Sequence, residues 1–251
     1  MSSAFLTAEW RRLLMLSFPI EPRVLRLYTP RGTEIDDWRG TTYISVVGFL
    51  FLNTKVKGVA IPYHRNFEEI NLRFYVRSRG PEGWRRGVVF VREIVPRRAI
   101  AWVGRWLYNE NYVACPTRSS TSPPSETQAG RAAYSWSHNG HWLTIGADYS
   151  GASSYPAEGS EEEFITEHYW GYSVQRDGGT VEYRVEHPQW RVWPAAHATL
   201  DGDLTGFYGA EFASALTRSP SSAFVTDGSP VIVRKGSRIR DEASRITSAC
   251  P

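Results

Sequence analysis

Cysteine and lysine are both scarce in this chain. Two cysteines, Cys115 and Cys250, stand far apart among 251 residues, too few for a disulfide scaffold or a four-thiolate zinc site, and both are read as free thiols. Three lysines accompany 26 arginines, and the net charge is only +3. Paired arginines at Arg11-Arg12, Arg85-Arg86 and Arg97-Arg98 are interspersed with Asp and Glu, with no run of about five like charges that would mark a nucleic-acid tail. No nucleic-acid partner is expected. The longest apolar run, Tyr43 to Leu52, is about half of the ~20 residues a membrane-spanning helix needs, so no membrane partner is expected either. The first ten residues lack the charged start, apolar stretch and cleavage site of a secretory signal, which points to a cytoplasmic protein. A phosphate loop, a nucleophile elbow and a two-histidine metalloprotease helix are all missing.

What is present reads mainly as β-structure in a single domain spanning 1–251. Thr7 before Ala8 to Leu14 predicts a short capped helix, and Glu21-Pro22 a second one through Leu27. Thr41 to Leu52 is apolar on both alternating sets, as in a strand buried on both faces. Phe67 to Val76 alternates, with Ile70, Leu72, Phe74 and Val76 on one face and Glu69, Asn71, Arg73 and Tyr75 on the other. Gly87 to Val95 is the next strand, joined through the Gly80 to Gly83 turn. Pro96 starts a predicted helix ending near Tyr108, and a strand follows through Cys115. The Ser-, Thr- and Pro-rich stretch 116–130 is read as a flexible hairpin loop.

Asn139-Gly140 and Asp177-Gly178-Gly179 are hairpin turns between flanking strands. Trp190 to Leu200 adds a strand, Asp203 caps a helix from Leu204 to Leu216, and Val231 to Val233 is a last short strand. About eight strands with few helices predict an antiparallel barrel or curled sheet. The ten tryptophans are read as core or pocket wall. His138 and His141 straddle a turn without a third ligand, and Glu161-Glu162-Glu163 reads as a solvated charge run, so no metal site is expected.

Glu69, Asn71, Arg73 and Tyr75 are the candidate site. Neighbours on one strand face stand ~7 Å apart, close enough to hold different ends of one small polar ligand, although a face turned to water explains the same pattern. Phe67-Glu68-Glu69-Ile70-Asn71-Leu72-Arg73-Phe74-Tyr75-Val76 resembles the signature of the YqjF-like family, a family of unknown function in the acetoacetate decarboxylase-like superfamily. Pro30-Arg31-Gly32, Trp38-Arg39-Gly40, Gly104-Arg105-Trp106-Leu107, Asn111-Tyr112-Val113-Ala114 and His187-Pro188-Gln189-Trp190 extend the resemblance over about residues 5 to 240. It implies a cone-shaped, mainly antiparallel β-barrel with a few peripheral helices around a pocket, and the homo-oligomeric assembly of superfamily members.

In the decarboxylases a Gly-Arg precedes a segment whose first lysine forms a Schiff base with a keto acid. Registering that Gly-Arg on Gly104-Arg105 puts Tyr112 at the Schiff-base position and Val113 beside it, and neither forms an imine. Lys55, Lys57 and Lys235 read as surface residues. Three functions remain open. One is a pocket protein for a small organic acid, needing no cofactor, with Arg73 or Arg105 as carboxylate partner and Glu69, Asn71 and Tyr75 around the ligand. Another is a hydratase- or aldolase-like lyase with Glu69 as general acid or base and Tyr112 as proton donor or oxyanion partner. The third is an interaction protein whose barrel is filled by side chains.

Overall fold

A computed structural model of the chain describes residues 3–97, 109 and 111–239. Its strands are β1 (Ala4–Pro19), β2 (Glu34–Ile35), β3 (Tyr43–Val56), β4 (Val59–Ala60), β5 (Phe67–Gly80), β6 (Gly83–Val95), β7 (Tyr112–Ala114), β8 (Thr117–Ser122), β9 (Gly130–His138), β10 (His141–Tyr149), β11 (Trp170–Val174), β12 (Thr180–Glu186), β13 (Val192–Asp201), β14 (Ser222–Arg234) and β15 (Ser237–Arg238). Hydrogen bonds link β12, β11, β6, β5, β3, β1 and β14 in that order, and a β12–β14 pairing through Val185↔Val233 closes them into a ring. The ring is antiparallel except where β11 meets β6. From β14 the sheet runs on through β13, β10, β9 and β8, and this second layer folds against the outside of the ring. Among the described residues no helix is long and apolar enough to cross a membrane.

Two apolar clusters follow from the two-residue side-chain period of the strands. Inside the ring lie Met15, Val47, Phe49, Phe51 and Val88. Outside it, Ile70, Leu72, Phe74 and Val76 of β5 pack with Leu16, Val46, Tyr134 and Trp136, and with Val24, Phe207 and Phe212 of the covering helices. The predicted facing of β5 is therefore the observed one.

The expected helix over Thr7 to Leu14 is instead part of β1, paired on one side to β14 and on the other to β3. Arg12 has a φ of 57°, and the register shifts between Arg11 and Leu14. Leu6, Ala8 and Trp10 face inward before this bulge, Leu13 and Met15 after it. The parity change spaces Leu6, Trp10, Leu13 and Leu14 as on a helix face, and ladder pairing on both edges overrides local propensity. Val231 to Val233 likewise belongs to the longer β14, whose pattern is broken at Gly228, with φ 78°. Within 116–130, Thr117–Ser122 forms the edge strand β8 against β9 rather than loop, because an edge strand needs pairing on only one side and no apolar face.

Other expectations hold. A helix at Pro22–Leu25 continues as a 3-10 turn to Tyr28, and Asn139 and Gly140 take φ values of 49° and 80° in the β9–β10 hairpin, as its tight turn requires. Asp203 caps the predicted helix, which Gly209 splits into Leu204–Tyr208 and Ala210–Leu216. The helix predicted from Pro96 falls on residues outside those described.

The two layers meet closely at Gly48, where a Cβ would stand 2.5 Å from Cδ2 of Tyr134. Gly48→Val is therefore expected to destabilise the protein by about 2 kcal/mol or more. At Gly146 an added methyl meets its nearest neighbour at 3.6 Å, and Gly146→Ala should change the urea midpoint little. Equal effects of the two substitutions would contradict this packing.

Candidate functional site

The ring encloses a cavity of about 140 Å³. Glu69, Asn71 and Arg73 project into it from β5, joined by Glu93 and Phe90 from β6 and Tyr112 from β7. Asn71 lies opposite Glu93 across the β5–β6 ladder and opposite Val47 on β3, and Tyr112 lies beside Glu93 in the parallel β6–β7 ladder. Glu69, Asn71 and Glu93 are only 3%, 2% and 1% exposed. Asn71 Nδ2 donates to Glu69 Oε1 at 3.2 Å. Most of the remaining wall is apolar or aromatic, including Leu13, Val47, Phe49, Val88 and Ile165.

Arg73 is half-buried in this wall. Its Nη2 approaches Met15 Sδ at 3.6 Å, its guanidinium lies 5.7 Å from the Tyr75 ring centre, and its buried Nε has no hydrogen-bond partner among the described residues. No carboxylate of the described residues pairs with it. Tyr75, the fourth predicted residue, does not line the cavity. It is completely buried behind it, its hydroxyl 2.6 Å from Ser45 Oγ, which lies 2.7 Å from Ser17 Oγ. Arg105 lies outside the described residues.

The sequence reading did not single out Glu93, His168 or His187 for the site, and it placed Trp190 only among the tryptophans of core or pocket wall. A bulge in β6 hid Glu93: Val91 and Arg92 both face outward, Arg92 toward the carbonyl oxygen of Phe207, so the inward parity moves from Val88 and Phe90 to Glu93 and Val95. Strand alternation alone cannot foresee a bulge. His168 and His187 come from segments outside regular strands, where periodicity carries no signal.

Tyr75 and Phe164 pack on the His168 ring at 4.6 and 5.1 Å. Its Nε2 is 3.6 Å from Asp36 Oδ2, beyond hydrogen-bond length, so the pair interacts through space. Burial depresses the His168 pKa to about 4, against the opposing pull of Asp36. Burial opposes ionisation of Asp36, yet His168 and Arg86, whose Nε donates to Oδ2 at 2.8 Å, hold it at about 2. His187 is also depressed, by burial first and further by Arg73. Its ring is stacked on Trp190 at 4.1 Å.

The acidic run is less solvated than its composition suggests. Glu161 accepts from Ser221 Oγ, Glu162 from Ser222 Oγ and Glu163 from the Gly159 backbone N–H, and Ser160 caps the helix Glu161–Thr166. His138 and His141 face each other across the β9–β10 turn, His141 exposed and His138 against Phe207 at 5.0 Å. No cluster of three metal-binding side chains occurs among the described residues.

A family model named DUF2071, described as an uncharacterized conserved protein, matches residues 7–230. The uncharacterized protein YqjF of Bacillus subtilis (strain 168) is 33% identical over 75 residues, 30% of this chain, and the match spans only 31% of that protein's length. Among solved structures, acetoacetate decarboxylase from Legionella pneumophila aligns over 96% of this chain and 89% of its own, with a TM-score of 0.65 and 10% identity. An acetoacetate decarboxylase-like enzyme from Sphingomonas wittichii RW1 aligns over 95% and 94%, with a TM-score of 0.64 and 13% identity. The enduracididine biosynthesis enzyme MppR complexed with pyruvate aligns over 96% and 92%, with a TM-score of 0.65 and 12% identity. At these identities the likeness establishes the acetoacetate decarboxylase-like fold and nothing about chemistry.

The buried imidazole makes stability depend on acidity. Unfolded, His168 takes up a proton below its ordinary 6.5, but in the folded protein only below about 4. The unfolded state therefore binds the extra proton across that window, and stability should fall as the pH drops from 6.5 to 4, by up to roughly 3 kcal/mol. Asp36, lowered from 3.8 to about 2, extends the loss below that range. His168→Gln should flatten the pH 4 to 6.5 part of the profile in urea titrations. An unchanged slope in that variant would assign the acid sensitivity to other groups.

Proposed function

We propose that this chain, which belongs to the DUF2071 family, is a cytoplasmic protein that binds a small organic acid inside its strand ring. The observation that carries the reading is Arg73. A half-buried guanidinium in a largely apolar wall costs desolvation energy, and no carboxylate of the described residues forms an ion pair with it. A ligand carboxylate matches its planar fork with two hydrogen bonds. Asn71 and Glu69 then orient the rest of the ligand. The pyruvate held by MppR, a protein of the same fold, supports a short acid as the first probe. The cavity speaks against a ring filled by its own side chains.

A second reading, a lyase without an imine, is favoured by one observation: Glu69 is almost completely buried on the wall that also carries Tyr112. That arrangement suits proton transfer to or from a bound acid, with Glu69 as general base or acid and Tyr112 at a developing oxyanion. An imine has no amine to form on, since Lys55, Lys57 and Lys235 are all exposed and none lines the cavity.

Pyruvate should raise the melting temperature of the wild-type protein in a concentration-dependent way. Arg73→Gln should weaken that binding ~10- to 100-fold, the range for losing a charge-assisted pair, with acetone, which has no carboxylate, inactive against both. Equal binding by wild type and variant would remove Arg73 from the site. Borohydride added with pyruvate should leave the intact mass unchanged, whereas an adduct on any of the three lysines would reinstate imine chemistry.

A further inference from the structure

We infer that the acid this cavity takes most tightly is a flat aromatic carboxylic acid, with short and saturated acids bound more weakly, a refinement that rests on the Arg73 reading above. Rings make up much of the wall: Trp10, Phe49, Phe51, Phe90, His187 and Trp190 all line it. They are held at fixed angles to one another. Trp10 stands edge-on to Phe49 at 5.4 Å and 65° and to Phe51 at 5.9 Å and 81°, and lies 6.3 Å from Trp190. His187 is stacked on Trp190 at 4.1 Å and 16°, and the Trp190 indole N–H donates to Ser229 Oγ at 2.9 Å. Side chains locked in this way offer a guest ready-made faces and edges, without the ordering cost of flexible aliphatic groups.

Size gives an independent argument. At about 140 Å³ the cavity is close to the ~150 Å³ apolar cavity known to hold benzene. A three-carbon acid leaves much of that space empty, and a puckered saturated ring lacks the flat face and polarised edge that the rings of this wall pair with. A planar ring fills it and meets the wall edge-to-face, while its carboxylate meets Arg73. Asn71, whose buried Oδ1 has no partner among the described residues, adds a polar group beside the ring rather than a second charge.

Quenching of the protein's tryptophan fluorescence by benzoate, cyclohexanecarboxylate, benzamide and pyruvate tests this on the wild-type chain. Benzoate is expected to bind about tenfold tighter than cyclohexanecarboxylate, the gain of one or two ring contacts, and at least tenfold tighter than uncharged benzamide. Arg73→Gln, checked for folding by near-UV circular dichroism, should bring benzoate down to the level of benzamide. Benzoate binding no tighter than cyclohexanecarboxylate would overturn the inference. So would Arg73-dependent binding of pyruvate without binding of benzoate, an outcome that leaves the organic-acid reading standing. Failure of every acid to bind would overturn both.

Discussion

The cavity depends on the register of one strand. β5 is paired on one edge to β3 from Phe67 to Phe74 and on the other to β6 from Ile70 to Gly80, and this double pairing holds Glu69, Asn71 and Arg73 inward while Ile70, Leu72 and Phe74 face outward. A slip by one residue would drive two charges and an amide into the apolar cluster around Trp136 and put three large apolar side chains where the cavity now has its polar groups. The hydrophobic cost of that exchange is what makes the polar face reliable. The chemistry inside the ring is thus specified by packing outside it.

Burying polar groups is expensive, and the molecule meets that cost in several ways. The Ser17, Ser45 and Tyr75 hydroxyls satisfy one another in a chain across β1, β3 and β5. Asp36 is held by Arg86, with Arg77 at 3.6 Å, and so keeps its charge although almost fully enclosed. His168 takes the other route and stays neutral. Behind the cavity wall these groups fix the Tyr75 ring against which the Arg73 guanidinium lies. Arg73 differs from Asp36 in this respect: among the described residues no carboxylate pairs with its guanidinium, which is what gives the cavity its proposed preference for anions.

The acetoacetate decarboxylase-like fold is shared with enzymes that are about 10% identical to this chain, so its architecture constrains activity only weakly. Any activity has to be read from the cavity's own residues: among those described, a tyrosine at position 112, two nearly inaccessible glutamates from adjacent strands, Glu69 and Glu93, and no lysine.

Much of this was legible in the sequence. The strict alternation from Phe67 to Val76 was enough to place Glu69, Asn71 and Arg73 on one face, because a two-residue period leaves no other arrangement once Ile70, Leu72 and Phe74 are buried. The Asn139-Gly140 turn was legible too, since few other residue pairs tolerate its positive φ angles. Irregular backbone was not. Bulges at Arg12 and between Val91 and Arg92 reset the parity of β1 and β6, so β1 read as a helix and Glu93 went unnoticed. His187 and Trp190 reach the cavity beside the closure of the ring between β12 and β14, a contact between segments nearly fifty residues apart, and His168 reaches it where β11 meets β6. Local propensity and period depend on neighbours along the chain and determined which face of each regular strand is polar. Closure, bulges and the meeting of distant segments depend on free energy shared across the whole molecule, and only the tertiary structure decided which of those polar faces enclose a common space.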